Sequence, residues 1–156
     1  MNILYISYDG IMEPLGESQV LSYQSILAEE FNIILLSYEK KNALKDTKKL
    51  NDMKARVHNS SINWKYHRYH KTPTLLATFY DLFIGLIHSC FLIFKYKIKV
   101  VHARSYPPAL IAIILKKIFG INFIFDMRGF WADERVDGNI WEKDSQIFKL
   151  TKSLEK

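Results

Sequence analysis

A chain of 156 residues that is 49% apolar and 14% aromatic can bury a sizeable core, which excludes global disorder. Its formal charge of +6 favours anionic partners but decides nothing about fold. The single cysteine, Cys90, excludes an internal disulfide and a multi-cysteine metal site, and suits a reducing cytoplasm.

Residues 2–8 form an apolar, β-branched run ended by Asp9-Gly10, the pattern of a buried strand and a turn. The opening lacks the basic region of a signal peptide, and its apolar stretch is too short for one. A loop over residues 9–17 carries Gly10, Pro14 and Gly16, and Ser18 is the expected N-cap of a helix running to about Glu30. Residues 32–38 read as a second buried strand. Residues 42–56, with sparse apolar positions, read as a weak and mostly exposed helix. Between Lys40 and Lys71 ten lysines and arginines stand against Asp46 and Asp52, a run that suits either a solvated face or an anionic surface. Residues 62–69 alternate and carry Trp64, Tyr66 and Tyr69, as a more exposed third strand would.

Residues 75–94 approach the length of a membrane span, roughly 20 residues. Thr78, Asp81, Gly85, His88 and Ser89 fall at helical spacing on one face. An aspartate at mid-bilayer costs about 2.5–3.5 kcal/mol. A soluble helix packed across the sheet, with a narrow polar stripe, fits this pattern; contact with a membrane surface and a true span are the alternatives. Residues 100–103 read as a fourth strand. Pro107-Pro108 opens a helix over residues 109–119, which Gly120 closes. Residues 121–125 form a fifth strand ending at Asp126, followed by a loop over residues 127–139 and a final helix over residues 140–156.

Strands alternate with helices, and four of the five strands are nearly continuous apolar runs. The expected fold is therefore α/β: a Rossmann-like open parallel sheet with helices on both faces. Ligands of such sheets bind at the carboxyl ends of the strands, which singles out three loops: residues 9–18, 104–108 and 126–135. In the first, Gly16 and Glu17 precede a helix, where backbone amides can approach a phosphate, although GxGxxG and the P-loop pattern are absent. In the second, Arg104 offers a cation at a strand end, flanked by Ser105 and Tyr106; His102, inside the strand, suits the core. The third packs Asp126, Arg128, Gly129, Trp131, Asp133, Glu134 and Arg135 together. Carboxylates hydrogen-bond sugar hydroxyls, aromatic rings cover sugar faces and arginines clamp phosphates. An internal salt-bridge network is the competing explanation.

The segments EPLGESQV, VVHARSYPPAL and, above all, FDMRGFWADERVDGNIW resemble the N-terminal domain of the family 4 (group 1) retaining glycosyltransferases, two-domain enzymes of the GT-B fold. The resemblance spans essentially the whole chain. It implies that residues 1–156 are a single acceptor-side domain, truncated before its last strand, with the donor-binding C-terminal domain absent. It further implies transfer of a sugar from a nucleotide-sugar donor to a glycan or lipid-linked acceptor in cell-surface polysaccharide synthesis. No metal and no cofactor is expected; the nucleotide-sugar co-substrate is bound mainly by the other domain.

Gly16 falls where the family has a Gly-Gly loop near the donor phosphate. Arg104 falls where many members place a histidine near the reacting sugar; arginine cannot act as a base, so its expected role is electrostatic. Arg104 and Asp126 are thus the catalytic candidates. Gly16, Glu17, Ser105, Tyr106, Arg128, Gly129, Trp131, Asp133, Glu134 and Arg135 are the substrate-binding candidates. The chain by itself is expected to be inactive. The expected partners are the acceptor, the nucleotide sugar through the other domain, and an anionic membrane surface met through residues 40–71, placing the protein on the inner face of the plasma membrane. Nucleic acid is not expected, because basic and aromatic residues do not interleave on a recognisable module. The alternative reading is a non-catalytic, membrane-recruiting subunit of a split glycosyltransferase.

Overall fold

The apolar runs become five strands: β1 (Asn2–Ser7), β2 (Asn32–Glu39), β3 (Asn63–Arg68), β4 (Val100–Arg104) and β5 (Asn122–Asp126). In the computed structural model, which describes residues 1–127, 129, 131–139, 142–146, 148–149 and 152, they form one sheet of order β3-β2-β1-β4-β5. Every pairing is parallel, with Ile3 opposite Ile33 and Val100, and Val101 opposite Phe123. The fold is the expected Rossmann-like α/β sheet. Two units are distinguished, Met1–Asp126 and Met127–Lys156, and each is described by itself.

Because successive strand residues point to opposite faces, β1 and β2 feed two cores. Leu4, Ile6, Ile34 and Leu36 pack with Leu92, Ile93, Ile111, Ala112 and Leu115 of α5 (Thr74–Tyr96) and α6 (Tyr106–Phe119). Ile3, Tyr5, Ile33 and Leu35 pack on the other face with Ile11, Met12, Val20 and Leu21, and with Met53 and Val57 of α4 (Thr47–Asn59). The apolar run of β5 becomes an edge strand, with Ile124 and Phe125 exposed, because only β4 pairs with it among the described residues.

Several boundaries differ from the sequence reading. The chain after β1 is helical from Pro14, in a short turn α1 (Pro14–Gly16), a π-helical stretch Glu17–Leu21 and α2 (Ser22–Leu27). Proline presets the first-turn dihedral, so the helix begins before Ser18. That residue is no N-cap; its hydroxyl donates to the carbonyl of Leu15 at 3.3 Å. Helix α6 starts at Tyr106, three residues earlier than the prolines alone suggested, and Gly120 closes it at φ 64°. The expected loop over residues 127–139 contains a helix, α7 (Trp131–Asp137). Its Ala-Asp-Glu-Arg core consists of residues that helices accommodate, and the cluster of charges and aromatics hid that propensity. The expected final helix over residues 140–156 lies largely outside the described residues.

The basic segment forms α3 (Lys41–Lys45) and α4, the latter capped by Asp46, whose side chain accepts from the Lys49 amide at 3.0 Å. Helix α4 buries only Met53 and Val57, so its lysines are solvated. It covers the face of the sheet opposite to α5.

Helix α5 is packed inside out. Ala77, Asp81, Gly85, Ser89 and Ile93, at every fourth position, face the sheet and are buried. The large apolar side chains of Leu76, Phe79, Phe83, Ile87, Phe91 and Phe94 are 53–72% exposed. Small residues let the helix approach closely: a Cβ on Gly85 would lie 1.8 Å from the Tyr38 hydroxyl. That hydroxyl donates to the Asp81 carbonyl at 2.9 Å.

Two predictions follow from this packing. Gly85→Ala is expected to destabilise the domain by about 1–3 kcal/mol through overpacking, and Tyr38→Phe in the same chain should recover part of the loss. Urea unfolding of the single and double variants measures this, and additive losses would disprove the contact. The second prediction concerns His67 and His88, whose ring nitrogens lie 2.9 Å apart between β3 and α5. Burial lowers both pKa values; the nearby His67 and Lys65 lower that of His88 further, while Asp81 partly opposes the shift at His67. The unfolded chain, titrating at about 6.5, therefore takes up protons first as the pH falls. Stability should be full above that value and decline below it. His88→Gln should flatten the decline, and an unchanged urea midpoint profile in that variant would assign the pH dependence elsewhere.

Candidate functional site

In this strand order the connections diverge between β1 and β4, and loops leaving the carboxyl ends of the strands frame a crevice. The site builds up from one buried carboxylate. Glu39, at the end of β2 and fully buried, accepts from the backbone N–H groups of Ile11 (2.8 Å) and Met12 (3.1 Å) and from the Ser37 hydroxyl (2.6 Å). Trp64 of β3 donates its indole N–H to Ser37 Oγ at 2.8 Å. Burial raises the Glu39 pKa, and the three hydrogen bonds oppose that rise. This network sets the path of the chain after β1. Gly16 is then dictated by packing, since a Cβ there would lie 2.0 Å from the Gly10 carbonyl oxygen.

The loop so shaped borders a half-open cavity of about 320 Å³. Tyr8, Tyr38 and Tyr69 contribute aromatic walls, and Asp9, Glu13 and Lys40 contribute charge, with Gly10 and Gly16 also lining it. Lys40 pairs with Glu13 at 2.8 Å. The rings of Tyr8 and Tyr69 meet edge to face at 5.5 Å. Burial raises the pKa of the Tyr8 and Tyr38 phenols, so both remain protonated donors. Tyr8 donates to the Asp81 carboxylate at 3.3 Å. The same carboxylate accepts from the His70 amide at 2.9 Å and lies 2.6 Å from His70 Nδ1. Asp81 thus joins the ends of β1 and β3 to the first turns of α5. From the sequence, Asp81 stood only in a polar stripe and Tyr69 among the aromatics of an exposed strand, while Tyr8 and Glu39 carried no role. The available signal was a lone carboxylate inside an apolar run, which must find partners when buried.

The two catalytic candidates meet at adjacent strand ends. Arg104 pairs with Asp126 at 2.7 Å and donates to the Gln19 side chain at 2.5 Å. The Arg104 side chain is only 11% exposed, and its bonds tie β4, β5 and the π-helical stretch together. Ser105 has φ 72° and ψ 170°, a region that residues other than glycine rarely occupy, and its N–H donates to the Asp126 carbonyl at 2.9 Å. Tyr106 packs edge-on against Phe125 at 5.4 Å. Pro107 and Pro108 have no N–H, which leaves the first turn of α6 poor in donors for an anion. Glu17 pairs with Arg56 of α4 at 2.5 Å and does not line the cavity. His102 is half-buried in β4, packed between the rings of Tyr5 and Tyr23, and burial lowers its pKa.

Apart from Asp126, the third group belongs to the second unit. There Asp133 pairs with Lys152 at 2.5 Å, and Arg135 is half-buried in α7. Gly129 lies in the bend before α7. Arg128, and the side chains of Trp131 and Glu134, lie outside what is described. Among the described residues no group of three or more His, Cys, Asp or Glu is placed to hold a metal ion.

No family model and no curated protein matches this chain. Among solved structures it is similar to a glycosyltransferase from Rickettsia africae ESF-5, with TM-score 0.49 and 14% identity, over 80% of this chain and 28% of that one. It is also similar to a deacetylase of the teicoplanin biosynthesis pathway, solved as a complex with bog, with TM-score 0.48 and 11% identity, over 79% of this chain and 65% of that one. The chain therefore spans under a third of the first protein and just under two thirds of the second. Likenesses this distant carry no argument about activity, and the fold assignment rests on the strand order and register.

Proposed function

We propose that this chain is the acceptor-side domain of a sugar-transferring enzyme, and that the acceptor saccharide sits in the cavity after β1. The carrying observation is the composition of that cavity: three tyrosines, two carboxylates and a lysine at the carboxyl edge of a parallel sheet. A tyrosine face covers the apolar face of a sugar ring, and Asp9 and Glu13 accept from its hydroxyls. The volume, about 320 Å³, lies at the small end of the usual range for ligand pockets, about 300–1,000 Å³. The resemblance of EPLGESQV, VVHARSYPPAL and FDMRGFWADERVDGNIW to family 4 glycosyltransferases supports the same reading.

The finer proposal is transfer from a nucleotide sugar to a glycan or lipid-linked acceptor in cell-surface polysaccharide synthesis. In it, the Arg104–Asp126 pair closes the crevice beside the reacting groups. Arg104 supplies positive potential there, softened by its partner carboxylate. The nucleotide is held by a second, donor-binding domain, so the 156-residue chain is expected to bind saccharide without transferring sugar. A second reading, a membrane-recruiting subunit paired with a separate donor-binding protein, draws on the exposed apolar face of α5.

Titration of the chain with mono- and disaccharides, followed by amide chemical shifts, tests the proposal. Shifts are expected at Tyr8, Asp9 and Tyr69. Tyr69→Ala is expected to weaken binding about tenfold, or about 1.4 kcal/mol. A nucleotide sugar alone should shift these amides little. Saccharide affinity unchanged in Tyr69→Ala, or no response to any saccharide, would remove the cavity as the acceptor site. Sugar transfer by the isolated chain would overturn the division of labour.

A further inference from the structure

We infer that the outer face of α5 and α6 is a docking surface for an anionic lipid bilayer, on which the domain lies with α5 parallel to the membrane plane. Helix α5 is long and apolar enough to cross a membrane by length and composition. Its polar stripe is nevertheless fastened to the sheet: Asp81 bonds to Tyr8 and His70, and the Tyr38 hydroxyl bonds to the helix backbone. Extracting α5 to span a bilayer would strip these bonds from a buried carboxylate, so the helix stays on the domain and offers its other side.

That side is a continuous apolar ridge. Phe79, Phe83, Phe91 and Phe94 are 57–72% exposed, and Leu110, Ile113, Ile114 and Ile118 of α6 extend the ridge at 40–59% exposure. The two helices meet where the rings of Phe94 and Phe119 lie 5.1 Å apart. Phenylalanines of about 150–250 Å² each, exposed to this degree, present several hundred Å² of apolar surface, comparable to the largest patch on a typical monomer.

Charge identifies the occupant. Neither helix carries an exposed acid, while Lys95, Lys97, Lys99, Lys116 and Lys117 are all exposed at the carboxyl ends of α5 and α6 or just beyond. Lys95 lies over the rings of Phe91 and Tyr96, its ammonium 5.6 and 5.4 Å from their centroids. An apolar face bordered by lysines matches acyl chains below and anionic headgroups above. A second copy laid parallel on the same face would bring lysine against lysine, and an antiparallel one would leave both lysine clusters without an anionic partner, because neither helix carries an exposed acid. The basic residues of α4 cannot share this contact, because α4 covers the opposite face of the sheet. At its other end α5 carries Asp81, bonded to Tyr8 of the cavity, so the docked face ends beside the proposed acceptor site. That link to a lipid-borne acceptor rests on the function proposed above; the docking itself does not.

Flotation of the chain with phosphatidylcholine vesicles, with and without phosphatidylglycerol, tests the inference without any sugar, so its outcome is independent of the saccharide titration. Binding to the anionic vesicles is expected. Phe83→Ser with Phe91→Ser should lower it at least tenfold while leaving the urea midpoint near that of the wild type, since both side chains are exposed. Lys97→Glu with Lys117→Glu should abolish the preference for phosphatidylglycerol. Lys48→Glu with Lys49→Glu on α4 should bind as the wild type does. Failure to bind either vesicle, loss of binding in the α4 variant but not in the phenylalanine variant, or a lipid-free dimer dissolved by the phenylalanine changes would each overturn it.

Discussion

Glu39 carries the constraint from which the rest of the edge follows. A carboxylate with no solvent exposure must be compensated by hydrogen bonds, and here two backbone amides of the loop after β1 and one serine hydroxyl supply them. Those bonds fix where Ile11 and Met12 enter the core, and the helix that follows must then pass directly over the Gly10 carbonyl. Only glycine fits at position 16. The glycine that in a resembling family approaches a phosphate is here required by packing alone, before any ligand is considered. The same turn of chain brings Asp9 and Glu13 opposite Tyr8 and Tyr69. The cavity is thus a by-product of satisfying a single buried carboxyl group.

A second compensated charge organises the neighbouring half of the edge. Arg104 is nearly buried and reaches Asp126 and Gln19 from adjacent elements. Breaking such a pair costs more than the pair contributes, because the remaining charge is left without a partner. Arg104 and Asp126 are therefore structural whatever else they do. A change at either one alters the positions of β4, β5 and the π-helical stretch together, so kinetic losses from such variants need a stability measurement beside them.

Helix α5 shows a third consequence of the same rule. Asp81 could not be left in an apolar environment unpaired, and its partners, Tyr8 and His70, lie on the sheet side. Once the polar stripe is drawn inward beside Leu92 and Ile93, Phe79, Phe83, Ile87, Phe91 and Phe94 are left on the outside. The exposed ridge is the cost of burying Asp81, and it turns a core-like helix into a surface that water tolerates poorly.

The sequence by itself determined the fold class. Near-continuous apolar runs at β1, β2 and β4, separated by helical segments, admit little besides a parallel sheet covered on both faces, and Gly120 marked the end of α6, although its start lies at Tyr106, ahead of the prolines. It also placed Arg104 and Asp126 at strand ends, where adjacent parallel strands bring them within reach of each other. Tertiary structure alone decided the rest. Periodicity says that Asp81, Gly85 and Ser89 share a face but not which way that face turns, because direction depends on partners distant in sequence. The start of α1 was hidden because a proline inside a loop-like run can equally open a helix. The cavity was hidden because Tyr8, Tyr38 and Tyr69 lie about 30 residues apart in the chain and meet only when β1, β2 and β3 align in register. Residues at the carboxyl ends of different strands leave no mark of proximity in the sequence, and that edge is where an open α/β sheet places its chemistry.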